Sequence, residues 1–335
     1  MKTSARLKLV VLECLLKPTM RERELLKHIY QANAALGAGV TIVPGDDMGA
    51  VRVENDQVLT TVDQVADGVH VDTASMPLAK IGRKAITRNL SDVAAMGALP
   101  IGAVVATCLP QDFGLARANE LFDAMRATAE RYQCPLFGGD IAMWDHPLLV
   151  TVTVLAKTEG VEPILRSGAQ VGDVVCVTGR LGGNLQCADG YTHHLDFEPR
   201  LAVGRRLAID KALRPHCMID LSDGLAQDLE HICRNVSAMI IADDLPIAPA
   251  AHRAAQGDGQ PPWRHAVGDG EDYELCFTME PPGAHQLAQT GLEGVPVTCI
   301  GRIESASAAG LPGVRIKLSD GSVQAISELG WEHSG

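Results

Sequence analysis

The sequence predicts a soluble, two-domain protein of the α/β or α+β class, and three observations support this. The chain has 335 residues, which is long for one hydrophobic core and sufficient for two. Hydrophobic residues make up 46% of it and charged residues 21%, as in an ordinary globular protein. Apolar stretches of strand length alternate with stretches of helical periodicity along most of the chain.

The charge and the cysteines narrow the range of functions. A formal net charge of -12 argues against nucleic acid as a partner, because a nucleic-acid-binding face needs Lys and Arg. Binding of a polyanion by this chain would therefore require metal ions. Nine cysteines are spread singly, without the spacing of a zinc site. We expect them to be small buried side chains in a reducing cytoplasm.

The first nineteen residues resemble a signal peptide only in part. Their apolar run, Leu9 to Leu16, is interrupted by Glu13, is too short to cross a bilayer, and is followed by no small-residue cleavage site. An amphipathic, charged segment begins at Met20. We expect residues 1–19 to be a flexible N-terminal extension, and a genuine first helix is the alternative that the sequence leaves open. No membrane partner is predicted.

The first half of the chain predicts a strand-and-helix domain. Apolar residues at helical spacing predict a helix over 21–36, and a Gly-rich polar loop follows it. Further along, β-branched apolar runs predict strands, and a 3.6-residue period predicts helices. The predicted strands are 58–62, 101–108 and 148–155, and the predicted helices are 80–96 and 115–132.

The second half predicts a separate α/β domain. The turn-rich segment RSGAQVGD, residues 166–173, ends the first pattern, and we place the boundary near residue 160. The domain limits are then 20–160 and 161–335. Strands are predicted at 174–178, 218–219, 239–242, 273–278 and near Thr298 and Val314, and helices at 200–209, 225–233 and 284–290. Such alternation is typical of α/β layers.

Five acidic stretches are candidates for chemistry. They are Gly45-Asp46-Asp47, Val62-Asp63, Asn89 to Asp92, Gly138-Gly139-Asp140 and Asp220 to Gly224. We expect each at the end of a strand or on a helix face, where α/β folds gather their sites. Mg²⁺ prefers oxygen ligands and usually takes one or two carboxylates together with substrate phosphates. A single such acid is more often a cap or turn residue, but five together predict a magnesium and phosphate site.

Two of these stretches suggest a specific geometry. Asn89 and Asp92 are three residues apart on a predicted helix, so they face the same way, toward the site. Asp220 and Asp223 flank the step from a strand into a helix. Two carboxylates and the free N–H groups of the helix start are therefore expected to meet one metal and phosphate unit.

Other catalytic systems find no support in the sequence. Walker, Rossmann, GxSxG and HExxH motifs are all missing. The pair His193-His194 lies in a polar segment, so we expect a solvated role for it rather than metal binding. The segment GDGEDYEL, residues 268–275, differs, because a tight turn explains its Gly-Asp-Gly but not Glu271 and Asp272.

Five motifs resemble the thiamine-monophosphate kinase family, in order and at similar spacing, from about residue 20 to the C-terminus. They are NLSDVAAMGALP (89–100), GGD (138–140), RSGAQVGD (166–173), IDLSDGLAQDLEHI (219–232) and GEDYELCFT (270–278). The resemblance implies the two-domain aminoimidazole ribonucleotide synthetase-like fold. In that fold an N-terminal domain dimerises with its twin and binds ATP with magnesium, and a C-terminal α/β domain packs on it.

The resemblance also implies an activity and a set of residues. The activity is in-line transfer of the γ-phosphoryl group of ATP to thiamine monophosphate, assisted by Mg²⁺, in a cytoplasmic homodimer. Metal positions correspond to Asp47, Thr61, Asp63, Asp92, Asp140, Asp220 and Asp223. Nucleotide positions correspond to Gly139, Asp140, Arg166 and Ser222, and thiamine phosphate positions to His70, Glu271 and Trp331. Catalysis is expected to rest on Asp223, Asp140 and Arg166.

Three departures from the family pattern leave rival interpretations open. Val62 replaces a hydroxyl residue beside the metal, Ile141-Ala142 replaces two threonines, and Asp269 replaces a glycine. Another enzyme of the same superfamily with a different acceptor is the main alternative. A selenophosphate synthetase would need a catalytic Cys near the metal loop, and a hydrogenase-maturation enzyme would need a C-terminal Cys; neither is present. A non-catalytic nucleotide-binding dimer is the third interpretation, but the principal aspartates are retained.

Overall fold

The computed structural model describes residues 40–43, 46–53, 56–184, 193–306 and 313–331. The predicted extension 1–19, the predicted helix 21–36 and Gly45 lie outside the described residues. Within the described ranges, helices long and apolar enough to cross a membrane are absent.

The first sheet contains six strands. They are β1 (Val40–Ile42), β2 (Gly49–Val53), β3 (Asp56–Ala66), β4 (Leu99–Pro110), β5 (Leu136–Trp144) and β6 (Leu149–Lys157). Their order is β1-β2-β3-β6-β4-β5, and only the β4–β5 pair is parallel. Strand β6, LVTVTVLAK, alternates buried and partly buried residues, as expected when one face of a sheet is covered.

Two helices cover this sheet. Helix α1 runs from Leu78 to Ala95 and helix α2 from Leu115 to Arg131. The shared core joins Ile81 of α1, Leu121 of α2 and Val152 of β6. Helix α1 is buried on most of its surface, because α2, the sheet and elements of the second half all pack against it. Polar side chains on α1 are therefore held in the interior, where they need partners.

The second sheet contains seven strands. They are β7 (Val174–Thr178), β8 (Cys217–Asp220), β9 (Val236–Ile241), β10 (Leu275–Met279), β11 (Val297–Ser305), β12 (Gly313–Lys317) and β13 (Val323–Ala325). Their order is β13-β12-β9-β11-β7-β10-β8, and only the β12–β9 pair is parallel.

Helices lie on both faces of the second sheet. The described helices of this half are α3 (His193–Asp196), α4 (Leu201–Ile209), α5 (Leu225–Ile232), α6 (Pro249–Asp258), α7 (Pro262–Gly268) and α8 (Pro281–Thr290), with a 3₁₀ turn at Ala242–Asp244. Leu207 of α4 and Leu287 of α8 pack in one core, and Leu229 of α5 packs in another. The two cores use alternate residues of the strands, which confirms the predicted α/β class.

The strand and helix predictions are confirmed where the apolar pattern is strong. All three strands predicted in the first half exist and are longer than expected, and both described helices match. Strand β5 was not predicted, because its Gly138, Gly139 and Asp140 have low strand propensity. The GGD motif was expected at a strand end and instead lies inside this edge strand. The predicted domain boundary at residue 160 falls between β6 and β7, and the domain limits stay a prediction.

The expectation that the cysteines are small buried side chains is largely confirmed. Five of the seven described cysteines are buried, and Cys108 and Cys299 are partly buried. All seven are free thiols. Cys14 and Cys187 lie outside the described residues.

Candidate active site

Three aspartates from distant parts of the sequence meet in the interior. Asp47 lies just before β2, Asp92 lies in the last turn of α1, and Asp220 ends β8. One carboxylate oxygen of each lies within 4.8 Å of the others. We call these residues the three-aspartate group. Their meeting confirms that strand ends and a helix face gather acidic side chains here.

The electrostatics of the three-aspartate group are unfavourable without a cation. Burial raises the pKa of Asp92 well above its ordinary value, and the charges of Asp63 and Asp220 raise it further. Burial, and then the charge of Asp47, raise the pKa of Asp220 to about 8. Both shifts have the same cause, since a buried carboxylate beside other carboxylates resists ionisation. The group therefore attracts a cation or protons.

The three-aspartate group fits magnesium. Across the described part of the chain, Oδ2 of Asp47 is one of the few buried side-chain oxygens without a hydrogen-bond partner. The donor set consists of oxygen atoms only, which suits a hard cation rather than zinc or copper. Thr61 lies beside the group, where its hydroxyl donates a hydrogen bond of 2.5 Å to Oδ2 of Asp92.

Arg166 joins the three-aspartate group from the side. Its Nη2 donates a 2.8 Å hydrogen bond to Oδ1 of Asp47, and its backbone N–H points at the Asp46 carboxylate, 3.2 Å away. Burial alone would lower the pKa of Arg166, but the nearby carboxylates keep it raised, so the guanidinium stays charged. Arg166 also lines a cavity of about 350 Å³ together with His231 and Arg234.

The turn that leads into α5 holds the predicted residues Ser222 and Asp223. The N–H groups of Asp223 and Gly224 donate to the Asp228 carboxylate, at 3.1 and 3.0 Å. Two of the N–H groups expected to be free for a phosphate are therefore already bonded within the turn. The Asp223 carbonyl accepts a 2.9 Å hydrogen bond from the N–H of Trp331, so the C-terminal segment docks on this turn.

A second carboxylate, Glu271, is largely buried and has a lysine and a histidine beside it. Lys84 donates to its Oε1 and Oε2 at 2.7 and 2.5 Å, and Nδ1 of His194 lies 3.1 Å from Oε2. Burial alone would raise the pKa of Glu271, but the hydrogen bond with His194 and the charge of Lys84 lower it to about 2. Lys84 also donates to the carbonyl of His70, at 3.1 Å. Two of the predicted thiamine phosphate residues thus share one lysine. We call Lys84 with Glu271 the Glu271 ion pair.

The loop that carries Glu271 has an unusual backbone. Gly270, Glu271 and Tyr273 have φ values of 72°, 54° and 51°, a region that non-glycine residues rarely adopt. A Cβ at Gly270 would lie 3.0 Å from the carbonyl oxygen of Ser222. The N–H of Glu271 donates to that same oxygen at 2.7 Å. The conformation is therefore held by the Ser222 turn, and such strain is common at functional sites.

Helix α1 connects the two carboxylate sites. Lys84, Arg88 and Asp92 are spaced by four residues, so they lie on successive turns of one side of the helix. Lys84 contacts Glu271, Asp92 belongs to the three-aspartate group, and Arg88 lies between them. Nε of Arg88 lies 3.2 Å from Oδ2 of Asp63. Asp63, a predicted metal residue, thus faces a protein cation in this structure.

The structure does not bring three other predicted residues into these clusters. Asp140 is exposed on edge strand β5. Gly139 lies beside it, where a Cβ would come within 2.1 Å of the Val105 carbonyl oxygen, so the close pairing of β4 and β5 requires glycine. The side chain of Trp331 is 46% exposed.

Sequence reasoning missed the partners of Glu271. The prediction that His194 is solvated was wrong, because this residue is only 2% exposed and lies 3.0 Å from Nζ of Lys84. Lys84 was not singled out. The signal that could have found it is its position two turns before Asp92 on one side of a helix. Asn89, expected to face the site, is buried and donates to the Ala85 carbonyl of its own helix.

The departures from the family pattern have local explanations. Val62 and Ile141 are exposed, each about 60%, so neither side chain lies in the three-aspartate group. The carboxylate of Asp269 accepts a 2.9 Å hydrogen bond from the N–H of Gly183 and lies 3.0 Å from Nδ1 of His265. Asp269 therefore stabilises the position of its loop through contacts with Gly183 and His265.

Known proteins are similar to this chain in sequence and in fold. Residues 45–158 match the family model described as AIR synthase related protein, N-terminal domain. A thiamine-monophosphate kinase from Rhodopirellula baltica is 37% identical over 273 residues, which span 80% of this chain and 83% of the relative. The chain belongs to the thiamine-monophosphate kinase family.

Solved structures of this family agree with the architecture. The thiamine-monophosphate kinase from Stenotrophomonas maltophilia is 31% identical, with a TM-score of 0.68 over 91% of this chain and 99% of the other. A ThiL protein complexed with AMPPCP and TMP is 26% identical, with a TM-score of 0.77 over 93% of this chain and 97% of the other. The predicted α/β, aminoimidazole ribonucleotide synthetase-like fold is thereby confirmed.

Proposed function

We propose that this chain phosphorylates thiamine monophosphate with ATP, giving thiamine diphosphate and ADP. The observation that carries the proposal is the three-aspartate group, whose largely buried carboxylates repel one another and lie next to Arg166. Such a site suits a metal-bound polyphosphate. The names of the relatives, and the pairing of AMPPCP with TMP in one solved family member, support the choice of substrates.

Magnesium would be held by Asp47, Asp92 and Asp220. We assign supporting metal roles to Thr61, whose hydroxyl touches Asp92, and to Asp63, Asp140 and Asp223. When bound, magnesium neutralises phosphate charge and thereby reduces the repulsion between two polyanionic substrates. The raised pKa values of Asp92 and Asp220 support this role, since bound cations favour the ionised form of a carboxylate.

Arg166 would bind and orient the transferred phosphate. Its guanidinium keeps its charge in a buried setting, and a planar fork of donors matches phosphate oxygens better than an ammonium does. A general base has little to do, because the acceptor phosphate is already an anion. Positioning and charge neutralisation are therefore the main contributions of the protein. Gly139, Asp140 and Ser222 would complete the nucleotide site.

The acceptor would bind at Glu271, His70 and Trp331. Glu271 stays ionised at neutral pH, and a carboxylate suits the positive charge of the thiazolium ring. Trp331 is half exposed beside the Asp223 turn, and it offers an aromatic face for a cationic ring. The acceptor thus reaches from the Glu271 ion pair toward the three-aspartate group.

We propose that the chain acts as a homodimer through its first sheet. Strand β5 is an edge strand, and seven of its nine residues are exposed. Exposed apolar side chains cluster on it and on other strands of the sheet, namely Phe137, Ile141, Met143, Val62 and Ile101. A long apolar edge of this kind favours association. Light scattering at micromolar concentration should return a dimer mass, and a monomer mass would contradict the proposal.

A cytoplasmic location is proposed from the free cysteines.

The activity is tested by product analysis. Purified protein is incubated with ATP, magnesium and one acceptor at a time, and the products are separated by chromatography. We expect thiamine diphosphate from thiamine monophosphate and no product from free thiamine. ATP consumption without thiamine diphosphate would overturn the choice of acceptor and leave only an ATP-dependent enzyme of this superfamily.

A further inference from the structure

Lys84 is a fully buried lysine with an exceptional set of contacts. Its side chain is 0% exposed, whereas lysine is among the residues least often buried completely. Nζ donates to both carboxylate oxygens of Glu271 and to the carbonyl oxygen of His70. It also lies 3.0 Å from Nδ1 of His194. One ammonium group thus fastens three segments that are far apart in sequence.

The oxygens of Glu271 and His70 are enough acceptors for the three donors of the Lys84 ammonium group. An ammonium carries three N–H donors, and three oxygen acceptors surround it, two from Glu271 and one from His70. The position of Lys84 is fixed by the middle of helix α1, which is buried on most of its surface. The places of the Glu271 carboxylate and the His70 backbone are therefore set by a rigid element rather than by their own loops.

Lys84 cannot itself touch a ligand, but its partners can. The side chain of Lys84 has no exposed surface, whereas that of Glu271 is 14% exposed and His70 is partly exposed. Glu271 and His70 are also the residues that the proposed function assigns to thiamine phosphate. The three-aspartate group lies about two helical turns further along α1, at Asp92, and Arg166 contacts Asp47 of that group.

We propose that Lys84 is a positioning residue for the acceptor: it sets the geometry of Glu271 and His70 and thereby the affinity for thiamine monophosphate. This inference rests on the proposed function. It assigns Lys84 to recognition of the acceptor and gives it no part in binding ATP. A purely structural ion pair would instead affect stability and both substrates alike.

The test is a double-mutant cycle measured as KM for each substrate. The variants are Lys84→Met, Glu271→Gln and the double variant, which carries no unpaired buried charge. Lys80→Met is the matched control, because Lys80 lies one turn earlier on α1 and pairs with Asp196 at the surface. Melting curves confirm that each variant is folded before kinetics are measured.

We expect Lys84→Met to raise KM for thiamine monophosphate about tenfold or more and to change KM for ATP less than about twofold. Lys84→Met should raise KM for thiamine monophosphate by a smaller factor in the Glu271→Gln background than in the wild type, because only the part of its effect that runs through His70 remains. Lys80→Met should change neither constant. An unchanged KM for thiamine monophosphate in Lys84→Met, or an equal rise for both substrates, would overturn the proposal.

The double variant keeps the test decisive if Lys84→Met does not fold. A double variant whose KM for ATP rises as much as its KM for thiamine monophosphate, relative to the wild type, would then contradict the proposal. The wild-type reaction separates the two levels of inference. A wild-type protein that makes no thiamine diphosphate would remove the proposed function, and the Lys84 proposal with it. An active wild type with a neutral Lys84→Met would remove the Lys84 proposal alone.

Discussion

Helix α1 buries carboxylates in two opposite ways. At its C-terminal end the three-aspartate group raises the pKa of Asp92 and Asp220 by burial and mutual repulsion. In its middle, His194 and Lys84 overcome the effect of burial and lower the pKa of Glu271 to about 2. The difference lies in the cation, since burial opposes ionisation at both places. Lys84 contacts the Glu271 carboxylate directly. In the three-aspartate group Arg166 pairs with Asp47, but burial and repulsion still raise the pKa of Asp92 and Asp220, so the group favours a bound cation.

The largest expected effect is the loss of activity when one aspartate becomes an amide. Asp92→Asn keeps the shape and removes a charge from the metal site, so kcat/KM should fall by about 10²-fold or more. The melting temperature without magnesium should stay the same or rise, because repulsion within the group decreases. Asp123→Asn, on the exposed side of α2, is the control. Near wild-type turnover of Asp92→Asn would exclude Asp92 as a metal ligand.

At the Glu271 ion pair, removing a charge is expected to lower the stability of the folded protein, in contrast to Asp92→Asn. Lys84→Met leaves a buried carboxylate without its cation, and we expect a loss of about 3–5 kcal/mol in the free energy of unfolding. Adding Glu271→Gln should recover most of this loss, because no unpaired charge remains. Urea denaturation of the three variants measures both values. A stable Lys84→Met protein would show that Glu271 finds another cation.

A smaller effect is expected from pH and magnesium together. The pKa of Asp220 is raised from 3.8 to about 8, so its protonated form stabilises the metal-free protein below pH 4. That contribution is lost as the pH rises through 8. The pKa of Glu271 is lowered from 4.5 to about 2, so its contribution is present above pH 4.5 and lost only as the pH falls toward 2.

Melting curves between pH 5 and 8.5 separate these two contributions. In chelator the melting temperature should fall as the pH rises, and the increase produced by magnesium should grow over the same range, because ionised aspartates bind it better. The Glu271 ion pair should not make the melting temperature depend on pH between pH 5 and 8.5. A magnesium effect that is independent of pH would contradict the raised pKa of Asp220.

The smallest effect is expected at an ion pair on the surface of the same helix. Lys80 pairs with Asp196, and both side chains are about 40% exposed. Exposed pairs contribute little because water screens both charges. Lys80→Met should therefore change the free energy of unfolding by less than about 1 kcal/mol. A loss as large as that of Lys84→Met would mean that burial does not distinguish the two lysines.

The sequence predicts the elements with a regular apolar period and the gathering of acids, but not their partners. Helix α1 and strand β6 are predictable because the buried positions follow a fixed spacing. Strand β5 is not, since its Gly-Gly-Asp segment lacks strand propensity and its place comes from pairing with β4.

The same limit applies within the site. Asp47, Asp92 and Asp220 are recognisable as acids at strand ends and on a helix face. The contact of Lys84 with Glu271 joins residues 187 positions apart, and no local pattern reports it. His194 was misassigned for the same reason, because its polar neighbours in sequence are not its neighbours in space.

Helix α1 also sets the distance between the two carboxylate sites. Lys84 and Asp92 are eight residues apart, which is about 12 Å of helical rise, and each end is fastened to a different carboxylate site. The hydrogen-bonded backbone of the helix is rigid, so it fixes the distance between the two carboxylate sites. One residue inserted between Lys84 and Asp92 would rotate one of these side chains by about 100° about the helix axis and remove it from its site. The distance between the two sites can therefore change only by whole helical turns.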